Sequence, residues 1–166
     1  LYLMQPCAKS VRKHLNLKNK FLPYIITALL ASLDLFTKFL IRENNIQENV
    51  VVEGILTIDL TYNTGIAFGL LSDYTIFTYI LSIFVFIWLV IQIKDIKETN
   101  LELFSLVLIL SGALGNLGER GWNLITGNDG KVTDFVELLF IPSFNLADTF
   151  ISIGIVLLLY SEIKKN

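Results

Sequence analysis

Long apolar runs constrain this chain most. Residues 21–41 form a run of 21 residues, residues 74–93 form a run of 20 without any charge, and a third run extends from about 103 to 118. An α-helix needs about 20 apolar residues to cross the hydrocarbon core of a bilayer. The hydrophobic content of 54% also exceeds the roughly 45–50% of soluble domains. These runs predict an all-α membrane protein.

A fourth apolar run, residues 149–160, is 12 residues long and reaches 17 only if it is counted from 144. If this run spans the bilayer, Asn145 and Asp148 enter the membrane edge. We therefore predict four transmembrane helices in one membrane-embedded domain, residues 1–166.

The positions of Lys and Arg predict the orientation. Residues 1–20 carry five of them, the 94–100 loop two and the C-terminal end two, which is nine of the 13 in the chain. By the positive-inside rule, residues 1–20 are then a cytosolic tail and both termini are cytosolic. The other two loops are exoplasmic.

The first exoplasmic loop, residues 42–73, has a different pattern. Residues 55–62 are β-branched and partly alternating, and a turn signal follows at 63–65. We predict a small β-rich element there, between 50 and 68.

Composition excludes several classes of function. A net charge of -2 and a pI near 5.4 provide no basic surface for nucleic acid. The single cysteine, Cys7, cannot form an internal disulfide. The single histidine, His14, lies in the tail, which excludes Ser-His and Cys-His pairs and histidine metal sites on the outer side. A Ser-Lys dyad using Lys38 and an all-oxygen metal site stay open, although no metal or cofactor is predicted.

Ionisable groups inside a bilayer are costly and indicate function. Residues three or four apart share a helix face, and this spacing joins three polar pairs: Asp34 with Lys38, Asn116 with Arg120, and Asn145 with Asp148. We expect the three faces to converge near the outer helix ends. The first pair is interpreted as an ion pair that supports helix packing. Arg120 either extends to the interface or, with Asn116, orients a carboxylate or a carbonyl.

Asp134 and Asp148 form the candidate catalytic pair. Both lie near the predicted outer boundary and close to amide side chains. Two carboxyl groups held close together cannot both ionise easily, so one keeps a proton while the other acts as a base. Such a dyad can activate water and hydrolyse a peptide without a covalent intermediate.

Five short motifs together resemble lipoprotein signal peptidase, also called signal peptidase II. They are DLFTK at 34–38, NTGIAFG at 63–69, GALGNLGER at 112–120, VTDF at 132–135 and FNLADTFI at 144–151. The third motif departs from the family at Gly118-Glu119, where an apolar residue and usually an aspartate are expected. The separation of 14 residues between Asp134 and Asp148 is also shorter than in many members.

The resemblance implies that Asp134 and Asp148 are the catalytic aspartates of a peptidase in the bacterial cytoplasmic membrane. It implies site-lining or site-ordering roles for five residues: Asn63, Gly65, Asn116, Arg120 and Asn145. Asp34 and Lys38 would support them. The implied substrates are lipidated prolipoproteins, whose signal helix enters laterally from membrane lipid and is cut just before the diacylglyceryl cysteine. We expect a monomer whose active site lies near the exoplasmic face.

Two other interpretations use the same residues. In a small transporter or channel subunit, Asp34, Arg120 and Asp148 would form an ion path, which requires ionisable groups in both halves of the membrane. In a non-catalytic assembly protein, the same groups would serve packing alone.

Overall fold

The structure, a computed structural model, describes residues 21–65, 74–95 and 100–165. The predicted cytosolic tail, with Cys7 and His14, lies outside these ranges. So do residues 66–69 of the second motif.

Within these ranges four helices are long and apolar enough to cross a membrane. They are α1 (Leu22–Glu43), α2 (Thr75–Asp95), α3 (Asn100–Ile125) and α4 (Leu146–Lys165). The prediction of four membrane helices is confirmed.

Two helices extend beyond their apolar runs. Helix α3 continues past the predicted end at 118 and includes Asn116 and Arg120 in its length. Helix α4 begins before the predicted run and carries Asp148 in its first turn. Arg120 is buried and Asn116 and Asp148 are half-buried. These polar residues interrupt the apolar pattern without ending the helix, so the apolar run is shorter than the helix.

A four-stranded antiparallel sheet accompanies the helices. The strands are β1 (Asn49–Val52), β2 (Leu56–Asn63), β3 (Val132–Leu138) and β4 (Ile141–Phe144), in that spatial order. The predicted β element corresponds to β1 and β2 and is confirmed. The second hairpin, β3 and β4, was not predicted, and it carries Asp134.

Helix α3 is the centre of the bundle. Its membrane span is 50% buried, against 28% for α1 and 17% for both α2 and α4. Leu106 and Leu110 of α3 pack with Leu89 and Ile93 of α2 in the main hydrophobic cluster. Helices α2 and α4 each pack on α3 but make at most marginal contact with each other. The bundle therefore has a gap between α2 and α4.

Small residues allow α3 and α4 to approach closely, as the 111–115 segment predicts. A Cβ on Gly112 would overlap the carbonyl oxygen of Ala147 and lie 2.7 Å from Cγ1 of Ile151. From the α4 side, a Cβ on Gly154 would lie 2.7 Å from the carbonyl oxygen of Ser105. The two helices thus meet backbone to backbone.

Replacing Gly112 by Ala is expected to destabilise the protein, because the neighbouring atom is a backbone carbonyl that cannot rotate away. Overpacking of this kind costs about 1–3 kcal/mol, and it should lower the thermal unfolding midpoint of the detergent-purified protein.

Gly118→Ala on the same helix is the matched control. Its Cβ would meet only Cδ1 of Leu35, at an ordinary 3.8 Å, while Ala favours the helix over Gly by about 1 kcal/mol. An unfolding midpoint that falls equally in both variants would contradict the close approach of α3 and α4.

Candidate active site

One face of α1 has charged side chains that are buried in the protein. Asp34 and Lys38 are fully buried, and Nζ of Lys38 lies 2.8 Å from Oδ2 of Asp34. Oδ1 of Asp34 accepts a hydrogen bond of 2.8 Å from the backbone N–H of Ala147, in the first turn of α4. The pair predicted from spacing is present, and it also satisfies one of the free N–H groups at the start of α4.

Asn145 and Asp148 form a capping box at the start of α4. Oδ1 of Asn145 accepts the backbone N–H of Asp148 at 3.0 Å, and Oδ2 of Asp148 accepts the backbone N–H of Asn145 at 3.2 Å. This reciprocal pattern satisfies two backbone donors. The carboxylate also lies at the positive end of the helix dipole. Asp148 is therefore fixed by the fold of the helix that carries it.

The other oxygen of Asp148 faces α3. Nδ2 of Asn116 donates to Oδ1 of Asp148 at 2.9 Å, and Oδ1 of the same amide accepts from Nζ of Lys38 at 2.7 Å. The predicted polar faces of α1, α3 and α4 thus meet in one chain of contacts. Lys38 fixes the direction of the Asn116 amide, because an ammonium group can only donate.

Asp134 reaches the same place from the sheet. It lies in β3 opposite Thr61 of β2, and its residue is 3% exposed. Its Oδ1 accepts a hydrogen bond of 2.6 Å from Nδ2 of Asn145, and the side chain of Asn63 is a second hydrogen-bond partner. The register between β2 and β3 therefore determines where this carboxyl group is buried.

The environment of Asp134 favours its protonated form. Burial is the main cause and the nearby charge of Asp148 is the second, and together they raise the pKa of Asp134 from 3.8 to about 7. Hydrogen bonds from Asn63 and Asn145 and the charge of Lys38 oppose this rise but do not cancel it. Like charges and desolvation are the two effects expected for a carboxyl dyad.

A single buried amide joins the two aspartates. Asn145 contacts Asp134 through Nδ2 and Asp148 through Oδ1 and its backbone N–H. Its residue is fully buried. The arrangement brings two carboxyl groups from separate elements to one asparagine, as expected for a pair that works together.

Arg120 orders the chain around the site. The residue is 6% exposed, its Nε donates to the carbonyl of Gly130 at 3.2 Å, and its Nη2 donates to the carbonyl of Gly65. Gly65 in turn donates its N–H to Oδ1 of Asn63 at 2.9 Å. Extension of Arg120 to the membrane interface is excluded by this burial. The guanidinium instead binds the backbone carbonyls of Gly65 and Gly130.

A cavity of about 820 Å³ opens beside these groups. Its polar end contains the seven residues Asn63, Gly65, Asn116, Arg120, Asp134, Asn145 and Asp148. Its remaining walls are mostly apolar and come from α2, α3, α4 and β4, including Val85, Trp88, Ile109, Ile141 and Ile155. Asp34 and Lys38 do not line it, so they lie behind the site.

Three residues of the network were not identified from the sequence. Glu119 was noted only as a departure from the third motif, Thr133 only as a member of the fourth motif, and Arg42 was given no role. Glu119 is 4% exposed and contacts both of the others. The spacing of Arg42, four residues after Lys38 on the same helix face, was an available signal.

The donor set suits proton transfer and hydrogen bonding. Within the ranges that the structure describes, no group of three His, Cys, Asp or Glu side chains is arranged to hold a metal ion. The carboxyl groups instead face amides, a guanidinium and an ammonium group.

Comparisons with known proteins give one consistent result. The family model described as signal peptidase (SPase) II matches residues 26–164. A lipoprotein signal peptidase of Caldanaerobacter subterraneus subsp. tengcongensis is 34% identical over 86% of this chain and 96% of its own length. A lipoprotein signal peptidase of Francisella tularensis subsp. novicida is 33% identical over 89% of this chain and 94% of its own length.

Two solved structures described as bacterial membrane enzymes share the fold. The one at 2.3 Å resolution has a TM-score of 0.78 and 28% identity, over 87% of this chain and 89% of that chain. The one at 1.9 Å has a TM-score of 0.76 and 28% identity, over 89% of this chain and 96% of that chain. The matched family model, the curated relatives and the shared membrane architecture agree, and the chain belongs to the signal peptidase II family.

Proposed function

We propose that this protein is a membrane aspartyl endopeptidase that removes signal peptides from diacylglyceryl-modified prolipoproteins. Family membership supports signal-peptide cleavage of lipoproteins. The observation that carries the aspartyl mechanism is that Asn145 binds Asp134 and Asp148 at the polar end of an apolar cavity.

The proposed reaction is direct attack of water on the scissile carbonyl. Asp148 accepts N–H donors at both oxygens, which orients it as the base that takes a proton from water. Asp134, with its pKa raised to about 7, gives its proton to the carbonyl oxygen as water adds. Asp148 then passes the proton taken from water to the leaving amine, and as the C–N bond breaks the proton on the former carbonyl oxygen returns to Asp134.

The cavity supports an apolar substrate that arrives from lipid. Pockets for drug-sized molecules have volumes of about 300–1,000 Å³, and this one continues from the aspartates along α2 and α4 as far as Trp88 and Leu158. In the proposal the signal helix and the acyl chains enter through the gap between α2 and α4. The peptide bond before the lipidated cysteine then lies at the polar end.

The charge distribution supports cytosolic termini and an exoplasmic site. Outside the apolar runs, the predicted outer side has three basic residues, and two of them are engaged within the protein. Arg42 pairs with Glu119, and Arg120 binds backbone carbonyls. The positive-inside rule compares the Lys and Arg in short loops near the ends of the spans, and the predicted cytosolic segments carry nine of them.

Replacing either proposed catalytic group by its amide isostere should abolish cleavage. In Asp134→Asn and Asp148→Asn, no second carboxyl group remains to divide the acid and base roles, and proton transfer of this kind contributes about 10²–10⁴-fold to rate. The assay is cleavage of a lipidated precursor by the purified, full-length protein.

Asp59→Asn is the matched control. Asp59 lies in β2, accepts the N–H of Glu48 at 3.0 Å and does not line the cavity, so this variant should cleave at the wild-type rate. Full activity of either dyad variant would overturn the mechanism.

The raised pKa of Asp134 predicts how stability depends on pH. Between pH 3.8 and about 7 the folded protein holds a proton that the unfolded chain has released, so folding stability falls as pH rises through this window and stays flat above it. Asp134→Asn cannot titrate and lacks this slope.

Thermal unfolding of both proteins at a series of pH values tests this prediction. The unfolding midpoint of Asp134→Asn minus that of wild type should increase by several degrees between pH 4 and pH 8. A difference that stays constant over the whole range would show that Asp134 does not carry a raised pKa.

Filling the apolar part of the cavity should weaken substrate binding. Ala113→Phe adds an aromatic ring at a lining position of α3, which should raise KM more than it lowers kcat, because the ring takes space that the signal helix needs. Val156→Phe is the control, since Val156 is 64% exposed on the outside of α4. Equal KM values in the two variants would place the substrate elsewhere.

A further inference from the structure

Glu119, like Asp34, is a carboxylate of the buried network that does not line the cavity. It lies on α3, is 4% exposed, and faces α1 and β3. Its neighbour Arg120 points to the cavity, whereas Glu119 points behind it. A buried carboxylate away from the reacting groups needs its own explanation, because desolvating a charge is costly unless it is fully bonded.

Both oxygens of Glu119 are occupied. Oε1 accepts from Nη1 of Arg42 and from Oγ1 of Thr133, the latter at 2.6 Å. Oε2 accepts the backbone N–H of Thr133 at 3.0 Å and lies 3.3 Å from Nζ of Lys38. The carboxylate therefore joins two cations of α1 to a single residue of β3.

The first set of contacts leads to Asp134. Thr133 immediately precedes Asp134 in β3, and Glu119 binds both its N–H and its hydroxyl. The carbonyl of Thr133 accepts from Nδ2 of Asn145 at 3.2 Å, and the same amide binds Asp134. Fixing Thr133 thus fixes the backbone from which the Asp134 side chain projects.

The second set of contacts leads to Asp148. Glu119 and Asp34 share Nζ of Lys38, which donates to Oδ1 of Asn116. Nδ2 of Asn116 then donates to Asp148. The position of the ammonium group decides which way this amide faces, and through it the position of Asp148.

Glu119 also balances charge next to the dyad. Lys38 and Arg42 on α1 are opposed by Asp34 on the same helix and by Glu119, so these four groups are neutral together. The other charged groups facing this region are Arg120 on α3, Asp134 on β3 and Asp148 on α4. Without the charge of Glu119, the four groups would carry one net positive charge beside the aspartates.

We propose that Glu119 is a positioning residue that holds both aspartates through Thr133 and Lys38 and sets the electrostatic potential in which they exchange a proton. This role rests on the proposed dyad mechanism. Glu119 touches no reacting atom, so its effect is on the rate and the pH dependence of cleavage rather than on substrate binding.

Glu119→Gln tests the role of charge. The full-length enzyme is assayed with a lipidated precursor across pH, and kcat should fall by about tenfold or more while KM stays close to wild type, because misplacing reacting groups by about 1 Å can cost about 10²-fold in rate. The net positive charge favours the ionised form of the dyad. Both limbs of the pH profile should therefore move to lower pH.

Two further variants separate charge from geometry. Glu119→Asp keeps the charge and should keep the wild-type pH profile, with part of kcat restored relative to Glu119→Gln. Thr133→Val removes the hydroxyl donor but no charge, so kcat should fall without a shift of the profile. If Glu119→Gln does not purify as a folded protein, these two variants still decide: wild-type kcat in both would overturn the proposal.

Glu137→Gln is the matched control. Glu137 lies on β3 three residues after Asp134, and it accepts a hydrogen bond of 3.0 Å from the hydroxyl of Ser143 rather than from the network. Its pH profile and kcat should equal those of wild type. A Glu119→Gln enzyme with lower kcat but an unshifted profile would leave Glu119 as a packing residue only and would overturn the electrostatic role.

The dyad variants distinguish the two levels of the proposal. Activity of Asp134→Asn or Asp148→Asn would defeat the aspartyl mechanism itself. Inactive dyad variants together with a Glu119→Gln enzyme of wild-type kcat and pH profile would defeat only the positioning role.

Discussion

The hydrogen bonds of Asn145 are the interaction on which the site depends. Buried carboxyl groups lose hydrogen bonds to water, so the protein must supply their partners. Asn145 does this for two elements at once, since its amide binds Asp134 of the sheet and its cap interactions bind Asp148 of α4. A helix start and a strand are thereby joined at one point, and the capping of α4 cannot be separated from the geometry of the dyad.

The charges behind Asn145 show how a small membrane protein can keep several ionisable groups buried. Lys38 contacts both Asp34 and Glu119, and each of the three also binds a group that leads toward the site. An ion path across the bundle would need ionisable groups along both halves of the membrane, but the span of α2 has none. Their gathering at one end of the bundle is better suited to hydrolysis at a surface than to transport.

Helical periodicity predicted much of this arrangement, because the i,i+3 and i,i+4 rules relate residues that are close together in the sequence. They paired Asp34 with Lys38 and Asn145 with Asp148, and the structure contains both pairs. The pairing of β2 with β3 brings Asn63 close to Asp134, and it depends on segments about 70 residues apart that no local rule connects. Glu119 was missed for the same reason, since its partners lie on another helix and in a strand.

The gap between α2 and α4 has a consequence for how the enzyme meets its substrate. If a signal helix enters sideways from lipid, encounter occurs in two dimensions, and the relevant quantity is the mole fraction of substrate in the bilayer or micelle. Adding detergent at fixed bulk amounts would then dilute the reaction, as it does for lipases that act at interfaces. Affinities for such an enzyme are therefore comparable only when they are expressed as mole fractions of substrate in the bilayer or micelle.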